Sequence, residues 1–250
     1  MTQVGFLGCG KIGKTMIRHL KVRADHPIAF VQTPNFKGDI DLDCPVVSTF
    51  DEDVCKADLV VECATPDVLK QQYQYYLRRS DMLILSLTAF SDDDFANKAY
   101  ALCEKHGTNI YLAHGAILGL DGIFDARDIL NNVTIETVKN PKSLGRSDTD
   151  RTVFFNGSTR EACQLMPRNV NVHAAIAMAG LGFDKTHSKI ISDPNVSTNS
   201  HIIKLEGEGF SSTIDVSSFA TGGITGKYTP ISACGSLDRI LGGKTPYQFV

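Results

Sequence analysis

No stretch of this 250-residue sequence approaches the ~20 consecutive apolar residues that a membrane-spanning helix needs. No signal-type segment opens it either, since strand-like residues and glycines begin at once; a cytoplasmic setting without a membrane partner is the expectation. Cysteines at metal or redox spacing are missing. Cys9, Cys44, Cys55, Cys63, Cys103, Cys163 and Cys234 are odd in number and include no C-x-x-C, so neither a disulfide framework nor a zinc site is implied. Reduced thiols follow, with Cys9 a small filler inside a glycine loop. There is no H-x-H or H-E-x-x-H spacing, and no metal is expected. An excess of one charge is absent too: the formal net charge of −3 speaks against a nucleic-acid partner. Internal repeats and low-complexity segments are also lacking. With 42% hydrophobic and 21% charged residues, the chain can build one large domain or two modest ones.

What is present begins in the first fifteen residues. Val4-Gly5-Phe6-Leu7 reads as a buried strand and runs into Gly8-Cys9-Gly10-Lys11-Ile12-Gly13, then into a helical pattern. A bare G-x-G-x-x-G is compatible with a plain glycine-rich turn. Between a strand and a helix it becomes a dinucleotide-binding fingerprint. Gly8 permits the tight turn, Gly10 lets a pyrophosphate approach the backbone, and Gly13 lets the helix pack on the strand. The helix start offers unpaired N–H groups to the phosphates.

Strand and helix signals then alternate. Strands are expected at 27–31, 45–48, 58–63, 82–87 and 109–113, and helices at 51–56, 65–79 and 91–107. The run at 58–63 is nearly continuous in apolar residues, as in a sheet buried on both faces. This rhythm predicts an α/β fold with a doubly wound parallel sheet over residues 1–114. From Gly115 the pattern changes. A helix is expected over 116–130, with Gly119 and Gly122 allowing close packing. A half-exposed antiparallel strand follows at 133–138, then strands at 151–155, 187–192, 200–205 and 213–218, with one helix at 169–180. Residues 115–229 thus read as a second α+β domain, an open sheet with helices on one side. A C-terminal helix lies within 230–250; its return to the first domain is left open by chain order.

Several residues of the second half carry chemistry. Gly115 to Gly122 follow a strand directly, where such sheets bind ligands, although a linker helix would look the same. Asn169 and Asn171 stand at a helix start with Arg168. Asparagine caps helices, but an amide there also suits a nicotinamide carboxamide, and an arginine suits a carboxylate or a surface ion pair. Asn199 and His201 share one face of an extended segment. An imidazole titrating near neutral pH beside an amide is an acid–base candidate. His114, just before Gly115, ranks second. His173 reads as an ordinary helical histidine.

These residues resemble the L-aspartate dehydrogenases, which oxidise aspartate with a nicotinamide cofactor and can feed NAD biosynthesis. The resemblance runs along nearly the whole chain, through Gly8 to Gly13, Ser86-Leu87-Thr88-Ala89, Gly115 to Asp121, Lys139-Asn140-Pro141, Pro167 to Val172, Asp193-Pro194 and Asn199-Ser200-His201. It implies a Rossmann domain followed by an α+β domain used for homodimerisation. It implies His201 and Asn199 as the catalytic pair. Gly8, Gly10, Lys11, Ile12, Gly13, Ala89, Ala116 and Asn171 would contact NAD or NADP. Arg168, Lys142 and His114 are the candidates for the amino-acid substrate. Three positions depart from the family pattern: His114 replaces a serine, Thr225-Gly226-Lys227-Tyr228-Thr229-Pro230 replaces an Asn-Pro-Lys-Thr-Ser stretch, and Val31-Gln32-Thr33 lacks the acid that selects the NAD ribose. The first two keep a different amino or hydroxy acid open as substrate; the third leaves NAD and NADP undivided. A nucleotide-sensing protein without turnover is the remaining alternative.

Overall fold

A computed structural model describes residues 1–219 and 226–242. Two compact units emerge, one formed by Met1–Ala113 with the segment from Pro230, the other by His114–Thr229.

In the first unit, β1 (Val4–Leu7) leads into α1 (Lys11–Arg23), β2 (Ile28–Gln32), β3 (Val46–Val47), β4 (Leu59–Glu62), α2 (Pro66–Tyr76), β5 (Asp81–Ile84), α3 (Asp93–His106) and β6 (Ile110–Leu112). The six strands run parallel in the order β3-β2-β1-β4-β5-β6. Chain order reverses between β1 and β4, the position where doubly wound sheets open a ligand crevice at their C-terminal edge. The helices start where local chemistry starts them. Thr65 accepts from the Val68 N–H with Pro66 in the first turn, and the Asp92 carboxylate accepts from the Phe95 N–H. Gly107 ends α3 in the left-handed conformation, φ 68°.

Glu62 ends β4 and is fully buried. Its carboxylate accepts from the Ala64 N–H at 2.8 Å, the Leu85 N–H at 3.2 Å, the Ser86 N–H at 2.9 Å and the Ser86 hydroxyl at 2.8 Å. Desolvation raises its pKa against these bonds, and the three from Leu85 and Ser86 tie the ends of β4 and β5 together.

The second unit contains α4 (Leu120–Ala126), β7 (Leu130–Lys139), β8 (Thr152–Ser158), α5 (Thr159–Leu165), α6 (Asn171–Ala179), β9 (Thr186–Ser192), β10 (Thr198–Gly207) and β11 (Phe210–Phe219). Its sheet has the order β11-β10-β7-β9-β8. Only the β7–β9 pair is parallel, so β7 is antiparallel on one side alone. Helices α5 and α6 pack on one face. That face carries Val133, Ile135, Thr137 and Lys139 of β7, Thr186, Ser188, Ile190 and Ser192 of β9, and Asn199, His201, Ile203 and Leu205 of β10, all buried. The α+β architecture expected of this half is the one observed.

Local details differ from the sequence expectation. Residues 51–56 make a turn and no helix: the Asp51 carboxylate accepts from the N–H groups of Asp53 and Val54, satisfying them before a second turn forms. The expected helix at 116–130 shrinks to α4, because Gly115 (φ 62°) and Gly119 (φ 76°) turn the chain left-handed. Gly122 has no heavy atom within 4 Å of where a Cβ would stand, so close packing is not its role. β5 stops at Ile84, and Leu87–Ser91 forms a 3₁₀ turn. Helix α5 had no counterpart in the sequence reading; a capping box of Ser158 and Glu161 starts it.

The last helix, α7 (Tyr228–Leu241), supplies Ala233, Cys234 and Leu237 to the core of the first unit, beside Phe6, Met16, Ile17, Leu20 and Val31. Asp238 accepts from His19 Nε2 at 2.8 Å and pairs with Arg23. Truncating fully buried Leu237 to alanine is expected to cost about 3 kcal/mol. Chemical denaturation checks this; an unchanged midpoint would show that α7 is not part of that core.

Candidate active site

The β1–α1 turn is shaped by its three glycines. Gly8 is left-handed at φ 102°, and a Cβ on it would stand 2.8 Å from the Cys63 carbonyl oxygen. A Cβ on Gly13 would stand 2.8 Å from Cys63 Sγ and 3.0 Å from the Gly8 oxygen, so α1 rests directly on the β1 and β4 ends. At Gly10 nothing lies within 4 Å of the Cβ position. Gly10 is also the N-cap of α1, with no side-chain cap and no acidic residue in the first turn. The helix therefore keeps its N–H donors and positive end for an anion. These features fit a dinucleotide pyrophosphate. Cys9 is half-buried, and burial raises its thiol pKa, in keeping with a filler role. At the end of β2, Gln32 is buried and accepts from the Tyr76 hydroxyl, so it points into the unit.

In the second unit, polar side chains line the buried face of the sheet. The Thr137 hydroxyl lies 2.8 Å from His201 Nδ1 and 2.7 Å from His173 Nε2. His173 Nδ1 lies 2.8 Å from the Ser188 hydroxyl, which is 2.7 Å from that of Thr159. Thr159 donates to the Thr186 carbonyl at 3.0 Å. Burial first, and the Lys139 charge second, lower the His201 pKa to about 3. The expected titration near neutral pH is thus corrected: the ring stays neutral there. Burial, then His201 and Lys139, hold His173 well below its ordinary value as well. Lys139 donates to the Asn169 carbonyl at 3.1 Å; its burial lowers its pKa to about 8. An ammonium so placed is mostly charged at neutral pH, with no carboxylate in an ion pair with it among the described residues.

The remaining sequence candidates fall as follows. Asn199 shares the buried face of β10 with His201. Asn171 is the first residue of α6, whose N-cap is Val170 without a side-chain bond, so neither Asn169 nor Asn171 caps it. Ala116 and His114 are half-buried in the turn before α4. Arg168 and Lys142 are exposed, Lys142 on the 3₁₀ turn Pro141–Leu144. Gly8, Gly10, Lys11, Ile12 and Gly13 form the β1–α1 turn, and Ala89 is buried after β5. Of the 225–230 stretch, Thr225 lies outside the described residues, while Gly226 packs so that a Cβ would meet Ser218 Oγ at 2.3 Å. Thr137, Lys139, His173 and Ser188 were not singled out from sequence. The available signal was parity: Thr137 and Lys139 continue the buried alternation of Val133 and Ile135.

A parallel sheet with this loop, joined in one chain to an open sheet with a buried neutral imidazole, defines a nicotinamide-dependent dehydrogenase with two domains. Comparison with known proteins narrows the class. Residues 121–240 match the family model "Aspartate dehydrogenase, C-terminal", and residues 8–113 match "Homoserine dehydrogenase, NAD binding domain". The chain is 33% identical over 232 residues to an L-aspartate dehydrogenase of Methanococcoides burtonii, covering 83% of this chain and 84% of that one. It is 37% identical over 169 residues to the L-aspartate dehydrogenase of Thermotoga maritima, covering 66% of this chain and 70% of the relative. The crystal structure of aspartate dehydrogenase from Thermotoga maritima superposes with a TM-score of 0.80 at 28% identity, covering 99% of this chain and 100% of that one. The chain belongs to the L-aspartate dehydrogenase family.

Gly10→Ala places its methyl in open space, so stability should change by under about 1 kcal/mol, while NAD(H) affinity falls roughly tenfold or more. Gly8→Ala, strained and against backbone, should lose stability as well, by about 1–3 kcal/mol. Thermal melts with and without dinucleotide separate the two; equal dinucleotide binding by Gly10→Ala and the parent would remove the loop from the site.

Proposed function

We propose that this chain oxidises L-aspartate with NAD or NADP to iminoaspartate, which water converts to oxaloacetate and ammonia. The observation that supports this most is the neutral, buried imidazole of His201 on one sheet face with Asn199 and the buried ammonium of Lys139, which has no carboxylate in an ion pair with it among the described residues. A bound nicotinamide would supply the hydride acceptor for the substrate Cα–H. The β1–α1 turn would hold its pyrophosphate, and Asn171 and Ala116 its ring. The chain's own residues then have three tasks. Lys139, charged and without an ion-paired carboxylate among the described residues, attracts a substrate carboxylate, a role for which exposed Arg168 and Lys142 are less well desolvated. Asn199 orients the substrate. His201 takes the proton that the substrate ammonium must lose before the C=N bond forms, and later serves the attacking water. The two carboxylates of the substrate favour the protonated imidazole, offsetting the desolvation that holds the free ring neutral. A homodimer in a cytoplasmic setting completes the reading; light scattering on the purified chain tests the dimer.

The reading is tested by following reduced-nicotinamide absorbance with both cofactors against a panel of amino and hydroxy acids. Signal with L-aspartate supports it; signal only with another acid transfers the same chemistry to that substrate; binding without turnover on any of them points to a sensor. His201→Ala should lower kcat by ~10²-fold or more with dinucleotide affinity nearly unchanged, and near-normal turnover would remove His201 from the mechanism.

Lys139 gives a second test. Its pKa in the fold, about 8, lies below the ordinary 10.5, so the folded state binds this proton less tightly than the unfolded chain. The penalty is full below about pH 8 and is relieved as pH rises through the folded value. Lys139→Met should therefore stabilise the protein at pH 7 by up to about 3 kcal/mol, an advantage that fades above pH 8, while KM for aspartate rises. Denaturation and kinetics at two pH values check both signs.

A further inference from the structure

Four buried side chains link His201 to a backbone carbonyl: Thr137, His173, Ser188 and Thr159, ending on the oxygen of Thr186. Each hydroxyl has one proton to donate, and a neutral imidazole has one N–H. These counts fix the direction of the row. The Thr186 oxygen can only accept, so the Thr159 proton points to it. Thr159 must then accept from Ser188, and Ser188 from His173 Nδ1–H. His173, neutral with its proton on Nδ1, accepts at Nε2 from the Thr137 hydroxyl. Thr137, its proton used, can only accept from His201 Nδ1–H.

We infer that this row of hydrogen bonds, anchored on the Thr186 carbonyl, holds the His201 proton on Nδ1 and leaves Nε2 as the open basic nitrogen. Thr137, His173, Ser188 and Thr159 are positioning residues: they set a tautomer without touching the reacting atoms. Reversing the row leaves four contacts intact and breaks only the anchor, so one unmade buried hydrogen bond biases the tautomer by on the order of tenfold or more. The inference rests on His201 as the proton acceptor proposed above, and extends it to which nitrogen serves.

Ser188→Ala breaks the row two residues away from His201. His173 Nδ1–H then loses its acceptor, and a buried N–H without a partner is the less tolerated outcome. The proton moves to His173 Nε2, which donates to Thr137, which donates to His201 Nδ1. The His201 proton is driven to Nε2, and the basic nitrogen is blocked.

The test is nitrogen NMR of the full-length protein with ¹⁵N-labelled histidine at pH 7, the His201 signals assigned by their loss in His201→Gln. The parent should show a protonated Nδ1 and a bare Nε2; a proton on Nε2 overturns the inference whatever any variant does. In Ser188→Ala the proton should shift to Nε2, and kcat should fall about tenfold or more with KM within about twofold. Unchanged ring signals in a folded Ser188→Ala overturn the inference too. Thr137→Ser, which keeps the hydroxyl, should retain both the Nδ1 proton and turnover, where Thr137→Val loses them; equal behaviour of the two counts against the row. If His201→Ala turned over normally while the ring signals behaved as stated, the catalytic reading would fail and the row would stand.

Discussion

Polar groups on the inner face of the second sheet have been taken out of water and must satisfy one another there. That constraint governs the whole seam. Thr137 stands between two imidazoles and is within hydrogen-bond reach of His201 Nδ1 and His173 Nε2. Helix α6 is held against β7 by more than apolar packing, since His173 reaches Thr137 and the Asn169 carbonyl receives Lys139. The same loss of solvent makes both histidines neutral and leaves Lys139 easier to deprotonate than a surface lysine. Desolvation destabilises the resting protein and prepares the site, a trade common where stability and function meet.

The first unit solves a different problem with backbone instead of side chains. A pyrophosphate needs N–H donors and room, and the β1–α1 turn offers both by omitting atoms: no side chain at Gly10, no cap on α1, no carboxylate in its first turn. The neighbouring glycines are tightly surrounded. Gly8 and Gly13 are fixed by Cys63 and the end of β4, so the loop's shape depends on a strand more than fifty residues away. Glu62, one position earlier, clamps the next strand end with three accepted hydrogen bonds, from the Leu85 and Ser86 N–H groups and the Ser86 hydroxyl. The strand ends on the β4 side of the turn are thus tied to one another.

Much of this was legible in the sequence, and the rest was not for physical reasons. Thr65-Pro66, Asp92, Gly107 and the Gly8–Gly13 loop act on their own neighbours in the chain, so their meaning is local. The face shared by Asn199 and His201 follows from strand alternation alone. By contrast, the helix expected over 116–130 failed because left-handed glycines at 115 and 119 outweigh an apolar pattern. Helix α5 carries its capping box in plain sight at Ser158 and Glu161, but seven residues between a strand and the next helix show too little periodicity. His173 looked like any helical histidine, and its importance lies in Thr137, 36 positions away, and in His201 beyond it. A hydrogen-bond row assembled from five separate elements leaves no trace in spacing.

Helix α7 has a consequence for how this molecule comes into being. The ribosome delivers the chain from its amino end, yet the apolar interior around β1 and α1 is completed by Ala233, Cys234 and Leu237. The whole of the other unit is synthesised in between. The nascent nucleotide-binding half must wait, its greasy side exposed, until α7 has been made. Assembly therefore runs out of register with synthesis, and the waiting period is when this polypeptide has most use for a chaperone.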